Sequence, residues 1–184
     1  MQPELEEFLA AGPPPVVFTL GTSAVLAAGS FYDESVKAVA RLGVRAVLLT
    51  GGFEQNRPKV PLPDNVMLVD RAPHQLLLPR ASVVVHQGGA GTTGQALRSG
   101  RPMLVVPHGH DQPDNAFRVT NMGVARTVFP ASYRDRRVAR ELTSLLVHDR
   151  FRTRAAEVAA IVRTEAGAEA AAGAIEAVLP GANR

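Results

Sequence analysis

The sequence predicts an α/β domain: a parallel sheet of about six strands with helices on both faces. Three observations carry this. Short apolar segments alternate with helical patterns in a strand–helix–strand rhythm. Several segments, such as Ser82–His86 and Met103–Val106, are apolar on both sides of the strand period, as strands covered on both faces must be. Glycines punctuate the ends: Gly21, Gly51-Gly52 and Gly88-Gly89 after strands, and Gly43, Gly100 and Gly123 after helices.

The elements follow in order. Residues 1–15 read as a tail, an acidic stretch Glu4–Ala11 followed by Gly12 and the stiff Pro13–Pro15. Val16–Leu20 is the first strand. Ser30 is placed to cap a helix to about Leu42, with Val36, Val39 and Ala40 on one face and Gly43 as its stop. Arg45–Thr50 is the second strand, and the prolines at 58, 61 and 63 make the next stretch a loop. Val66–Val69 is the third strand, and His74–Leu78 a helical turn ended by Pro79. Ser82–His86 is the fourth strand, followed by a helix over Thr92–Ser99. Met103–Val106 is the fifth, followed by a helix over Pro113–Met122. Ala125–Val128 is the sixth. From about Ser132 to Leu179 the pattern is helical, with breaks near Asp149 and Gly167.

Composition excludes several classes. The chain has 184 residues, 46% hydrophobic and 20% charged, which fits one globular domain and not a disordered one. Without cysteine there is no disulfide, thiolate metal site or cysteine nucleophile. The apolar runs are too short to span a bilayer, and the first residues lack the pattern of a secretory signal, so a cytoplasmic setting is expected. The net charge of +3 raises the question of nucleic acid, but the basic residues of 134–154 are mixed with Asp135, Glu141 and Asp149 and have few aromatic neighbours. A solvated helix face is the expectation, with no nucleic-acid partner.

In open parallel sheets, ligands bind beyond the carboxyl ends of the strands. Three loops there are unusual: Gly21-Thr22-Ser23, His86–Thr93 and His108–Pro113. The second is the sharpest signal. Four glycines fall between Gly88 and Gly94, more than a helix cap needs. The amides of Gly91, Thr92 and Thr93 are expected to point out of a helix N-terminus, where the dipole favours an anion. The threonine hydroxyls add donors, and His86 can donate to or charge-pair with a phosphate.

Two other readings compete. Gly89-x-Gly91-x-x-Gly94 matches the dinucleotide fingerprint, with Asp111 further on, and would make the chain an NAD-dependent oxidoreductase. That fingerprint belongs on the first strand of its unit, and here it follows the fourth. His108-x-His110-Asp111 invites a metal, but Gln112 and Pro113 occupy the positions where a di-metal loop needs further ligands, so no metal is expected. Asp111 is also placed to cap the helix that Pro113 opens.

Together these residues resemble the donor-binding signature of the family 1 glycosyltransferases, closest to the sterol and bacterial antibiotic branch. The matching text is Ala72-Pro73-His74, Leu77-Leu78-Pro79, Val85–Thr93, Gly100-Arg101-Pro102, Val106-Pro107 and Asp111–Ala116. The resemblance extends from the proline-rich lead-in onward. It implies the C-terminal, Rossmann-like half of a GT-B fold, with residues 1–15 as an interdomain-linker remnant and 16–184 as the nucleotide-sugar domain. It further implies that His86, Gly88, Gly89, Gly91, Thr92, Thr93 and Ser23 hold a diphosphate. Asp111 and Gln112 would hold the sugar hydroxyls, and Ala72 to His74 would lie along the base. Arg71 stands where plant members have a tryptophan, and is either a stacking guanidinium or a surface charge. Gln95 is the candidate replacement for the plant ribose-binding glutamate. The donor would be a UDP- or dTDP-sugar, used as a substrate without a cofactor. The acceptor domain and the general base would lie on an N-terminal domain that this chain lacks, leaving the chain inactive alone. A stand-alone nucleotide-binding module is the remaining alternative.

Overall fold

The computed structural model describes residues 1–178. Six strands form one sheet: β1 (Val16–Thr19), β2 (Ala46–Leu49), β3 (Val66–Val69), β4 (Val83–His86), β5 (Met103–Val105) and β6 (Ala125–Thr127). Their order is β3-β2-β1-β4-β5-β6, and every neighbouring pair is parallel. Val16 pairs with Ala46 of β2 on one side and Val83 of β4 on the other. The chain builds outward from β1 to β3, then returns across β1 to start β4. The strand order therefore reverses between β1 and β4, which opens a crevice at their carboxyl ends.

The helices are α1 (Pro3–Ala10), α2 (Gly21–Ala24), α3 (Phe31–Leu42), α4 (His74–Leu77), α5 (Ala90–Ser99), α6 (Gln112–Asn121), α7 (Asp135–Val147), α8 (Asp149–Val162) and α9 (Gly167–Val178). Alternation along each strand divides the core between the two faces of the sheet. Phe18, Leu48, Val85 and Leu104 meet Val36 and Val39 of α3 and Leu142 of α7. Val17, Val47, Val84 and Met103 meet Leu5 and Leu9 of α1, Ala96 of α5, Val119 of α6 and Val158 of α8. Each such side chain contributes about 1.5–3 kcal/mol by leaving water.

All six expected strands are present. Residues 1–15 are not a loose tail, however. Glu4 and Glu6 favour the first turn of α1 by their charge, and Leu5 and Leu9, one turn apart, are buried against the sheet. Arg45 ties α1 down by bonding the Phe8 carbonyl and lying over the Phe8 ring. Gly43 ends α3 in the left-handed conformation as expected, but Ser30 makes no side-chain cap bond. On α3, Ala38 rather than Ala40 faces the core. The C-terminal helical stretch is divided into α7, α8 and α9 at the expected breaks near Asp149 and Gly167, and Leu179 lies outside the described residues.

Candidate functional site

The loop after β4 is shaped by contacts that only glycine permits. Gly88 has φ +90, and a Cβ there would stand 2.8 Å from Val105 Cγ1 and 3.2 Å from the Gln112 carbonyl oxygen. The chain turns against β5 and α6 at that point, then enters α5 with Gly89 as its N-cap. The Thr93 amide already bonds the Gly89 carbonyl at 2.9 Å. The open donors of this helix terminus are therefore the amides of Ala90, Gly91 and Thr92, one residue earlier than the expected trio. Gly91 is exposed, and nothing stands within 4 Å of where its Cβ would be. The Thr92 and Thr93 hydroxyls are not presented to solvent as expected. Both residues are buried, Thr92 Oγ1 accepts from Gln87 Nε2 at 3.4 Å, and Thr93 Oγ1 has no partner.

His86 ends β4 with its ring fully enclosed. Its Nδ1 accepts the Gly88 amide at 3.1 Å, which fixes the tautomer and leaves Nε2–H beside Met103 Sδ at 3.2 Å. Burial, with a smaller contribution from His74, pushes its pKa down to about 3. In this arrangement desolvation favours the neutral ring, which braces the glycine turn from within.

The loop after β5 lies alongside. Asp111 is exposed at the start of α6 and makes no cap bond, because its carboxylate accepts from Asn115 Nδ2 at 2.7 Å instead. The same Asn115 amide donates to the Gly88 carbonyl at 2.9 Å, so one side chain joins the β4 and β5 loops. Gln112, expected to hold the sugar hydroxyls, is only 3% exposed. Its Oε1 accepts from the amides of His108 and Gly109 at 2.7 and 3.3 Å and shapes the loop. His108 donates Nδ1–H to the Val106 carbonyl, and His110 adopts φ +57, a strained setting for a non-glycine residue. No cluster of three or more metal-ligating side chains occurs among the described residues.

On the other side of the crevice, a cleft of about 470 Å³ lies beyond β1, β2 and β3. Thr19, Gly21, Thr22, Phe53, Arg71 and His74 line it, with Ala72, Val25 and Leu49. Arg71 is exposed and holds the Gly51 carbonyl through Nε at 3.4 Å. His74 is half-buried, and burial lowers its pKa. Asn56, almost fully buried, donates to the carbonyls of Val25 and Thr50 and pins the β1 and β2 loops together. Ser23 is exposed on α2, next to the lining residues Gly21 and Thr22. Gln95 is not brought here. It lines a separate groove with Gln75, Arg98 and Arg163, because its position on α5 faces α4 and α8 rather than the crevice. Phe53 and Asn56 were not singled out in the sequence, and Gln87 and Asn115 stood in the motif without a role of their own: which loops they line or join is decided by the fold.

The strand order, the crevice and the open α5 terminus define a doubly wound α/β domain, a class in which ligands bind at the topological switch point. Residues 35–177 match the model of the erythromycin biosynthesis protein CIII-like C-terminal domain. The chain belongs to that family, the C-terminal domain of the family 1 glycosyltransferases with the GT-B fold. It is 37% identical over 175 residues to O-mycaminosyltylonolide 6-deoxyallosyltransferase of Streptomyces fradiae, covering 95% of this chain and 40% of the relative. It is 31% identical to a sterol 3-beta-glucosyltransferase of Arabidopsis thaliana, over 98% of this chain and 28% of the relative. Among solved structures, the glycosyltransferase of kitacinnamycin superposes with a TM-score of 0.81 at 31% identity, covering 92% of this chain and 44% of that one. The glycosyltransferase VinC in complex with dTDP superposes with a TM-score of 0.73 at 30% identity, over 86% of this chain and 40% of that one. The chain thus spans less than half the length of these relatives. Family membership also displaces the oxidoreductase alternative, whose fingerprint sits here on β4.

Proposed function

We propose that this chain is the donor half of an inverting glycosyltransferase, binding a UDP- or dTDP-sugar and presenting it to the hydroxyl of a small lipophilic acceptor. The observation that carries the reading is the set of open Ala90–Thr92 amides at the α5 terminus, next to a cleft of about 470 Å³. The diphosphate lies on those amides, with Ser23 across the crevice. The base and ribose lie in the cleft among Phe53, Arg71, Ala72 and His74. The sugar reaches Asp111, whose exposed carboxylate accepts from hydroxyls. Gln112 acts through the loop it shapes.

In the reaction, the bond from the anomeric carbon to the diphosphate oxygen breaks as the bond to the acceptor oxygen forms. The acceptor proton goes to a general base on an N-terminal domain outside this chain. The charge that grows on the departing diphosphate meets the α5 amides, preorganised for it, and no metal is required. No catalytic residue is assigned within the chain. The nucleotide-sugar is a substrate rather than a cofactor, and the reaction is placed in the cytoplasm.

A calorimetric panel of UDP, dTDP, their glucose conjugates and NAD tests this reading. Binding of a nucleoside diphosphate and its sugar, with no transfer to any small hydroxylated acceptor, is the expected result. Binding of NAD alone, or of none of the panel, overturns it. Transfer by the chain alone would relocate the base to His108 or His110.

A further inference from the structure

A groove of about 450 Å³ lies at the amino ends of the strands, at the opposite end of the sheet from the crevice, where α6 runs into β6 and α8 begins. Met122, Ala125 and Phe151 give it apolar wall, and three guanidiniums line it, those of Arg126, Arg150 and Arg154. Like charges gathered on one groove repel unless negative charge compensates them. The chain supplies little. Buried Glu141 is shared by Arg126, Arg137 and Arg140. Glu157 meets Arg154 at 2.9 Å. Arg150 pairs with no carboxylate among the described residues, and its guanidinium lies 5.0 Å from the centre of the Phe151 ring. Two of the three lining arginines are also held in place. Arg126 is anchored through Nε to Glu141, and Arg154 donates from Nε to the Met122 carbonyl at 3.0 Å and from Nη1 to Glu157. Their remaining Nη groups are spare donors on fixed side chains, and the guanidinium fork matches a phosphate.

We propose that this groove is a second anion site, which takes a phosphate monoester carried on an apolar body. The phosphate lies among the three guanidiniums, and the apolar part lies against Met122, Ala125 and Phe151, the usual division of a small-ligand site between a few polar groups and an apolar wall. The groove shares no residue with the cleft beyond β1, β2 and β3. The inference therefore stands apart from the donor reading and does not need it.

The experiment is calorimetry on the 184-residue chain with phenyl phosphate, dihexanoyl phosphatidic acid, inorganic phosphate and phenol. One or both of the organic phosphates should bind more tightly than inorganic phosphate, and phenol should not bind. Whichever organic phosphate binds better tells a soluble monoester from a lipid headgroup, and either result bears the proposal out. Inorganic phosphate binding as tightly as both, or no binding of any phosphate, overturns it. Arg150→Gln should weaken the monoester about tenfold, the size of one charge-assisted hydrogen bond, at an unchanged melting temperature. Arg136→Gln removes the same charge from an exposed position in the first turn of α7, outside the groove, and should leave the affinity nearly unchanged. Equal losses in the two variants would mean attraction to net charge alone and would overturn the proposal. NMR of the unaltered chain locates the ligand without any variant. The amides of residues 122–127 and 149–154 should shift on adding phenyl phosphate, and shifts confined to Gly88–Thr93 would overturn the assignment.

Discussion

The two halves of the carboxyl edge are built on different principles. Beyond β1–β3 the surface is open, a cleft lined by Phe53, Val25 and Leu49 with Arg71 at its margin. Beyond β4 and β5 the loops are packed tightly, with His86, Gln87 and Gln112 nearly out of solvent and Gly88 against a neighbouring side chain and carbonyl. The open half offers shape and apolar surface, which suits a flat aromatic ligand part. The packed half offers backbone donors, which serve only if the backbone is held in place. Side chains can change in the first at modest cost. In the second, even a methyl group matters.

The largest test of that contrast is Gly88→Ala. Its positive φ and the contact with Val105 act together, and each is worth about 1–3 kcal/mol. A melting temperature lower by roughly 10 °C is expected for a domain of this size. A drop of only a degree or two would mean that the β4 loop is as pliant as the cleft. Next is the pH dependence carried by His86. Its folded pKa of about 3 lies below the unfolded value, so between about pH 6.5 and 3 the unfolded state binds the extra proton. Stability should therefore be fully present above pH 6.5 and fall as pH drops through that window, by at most about 1.4 kcal/mol per pH unit from this residue. His74, also lowered by burial, adds in the same direction. Chemical denaturation from pH 7 to pH 4 should show a shallower decline in a His86→Gln variant, and parallel declines would remove His86 as the cause.

The smallest and most selective effect is expected at Asp111. It makes no helix-cap bond, so Asp111→Ala should leave the melting temperature within about 2 °C, less than the roughly 1 kcal/mol loss of a true cap would produce. Affinity for dTDP-glucose or UDP-glucose should fall about tenfold, as for one charge-assisted hydrogen bond, with the free diphosphates nearly unaffected. Equal loss for sugar and diphosphate would show that Asp111 acts on the β4 loop through Asn115, and not on the sugar.

Much of this was legible in the sequence, because it depends on local patterns. Apolar runs such as Val83-Val84-Val85 can only be buried strands, glycines such as Gly43 and Gly100 stop helices, and the glycine cluster before α5 marks a close backbone approach. Where a side chain's surroundings are set by how loops and helices pack, only the tertiary structure decided. Leu5 and Leu9 turn an apparent tail into a helix because the sheet offers them a buried surface. Burial favours the neutral form of His86, because the fold encloses its ring beside Met103 of β5. Gln112 turns inward because the amides of its own loop claim its oxygen, and Gln95 leaves the site because α5 aims it at another groove. Residue types and their spacing determine which loops face a ligand. Burial and long-range hydrogen bonds determine which atoms in those loops stay open to it.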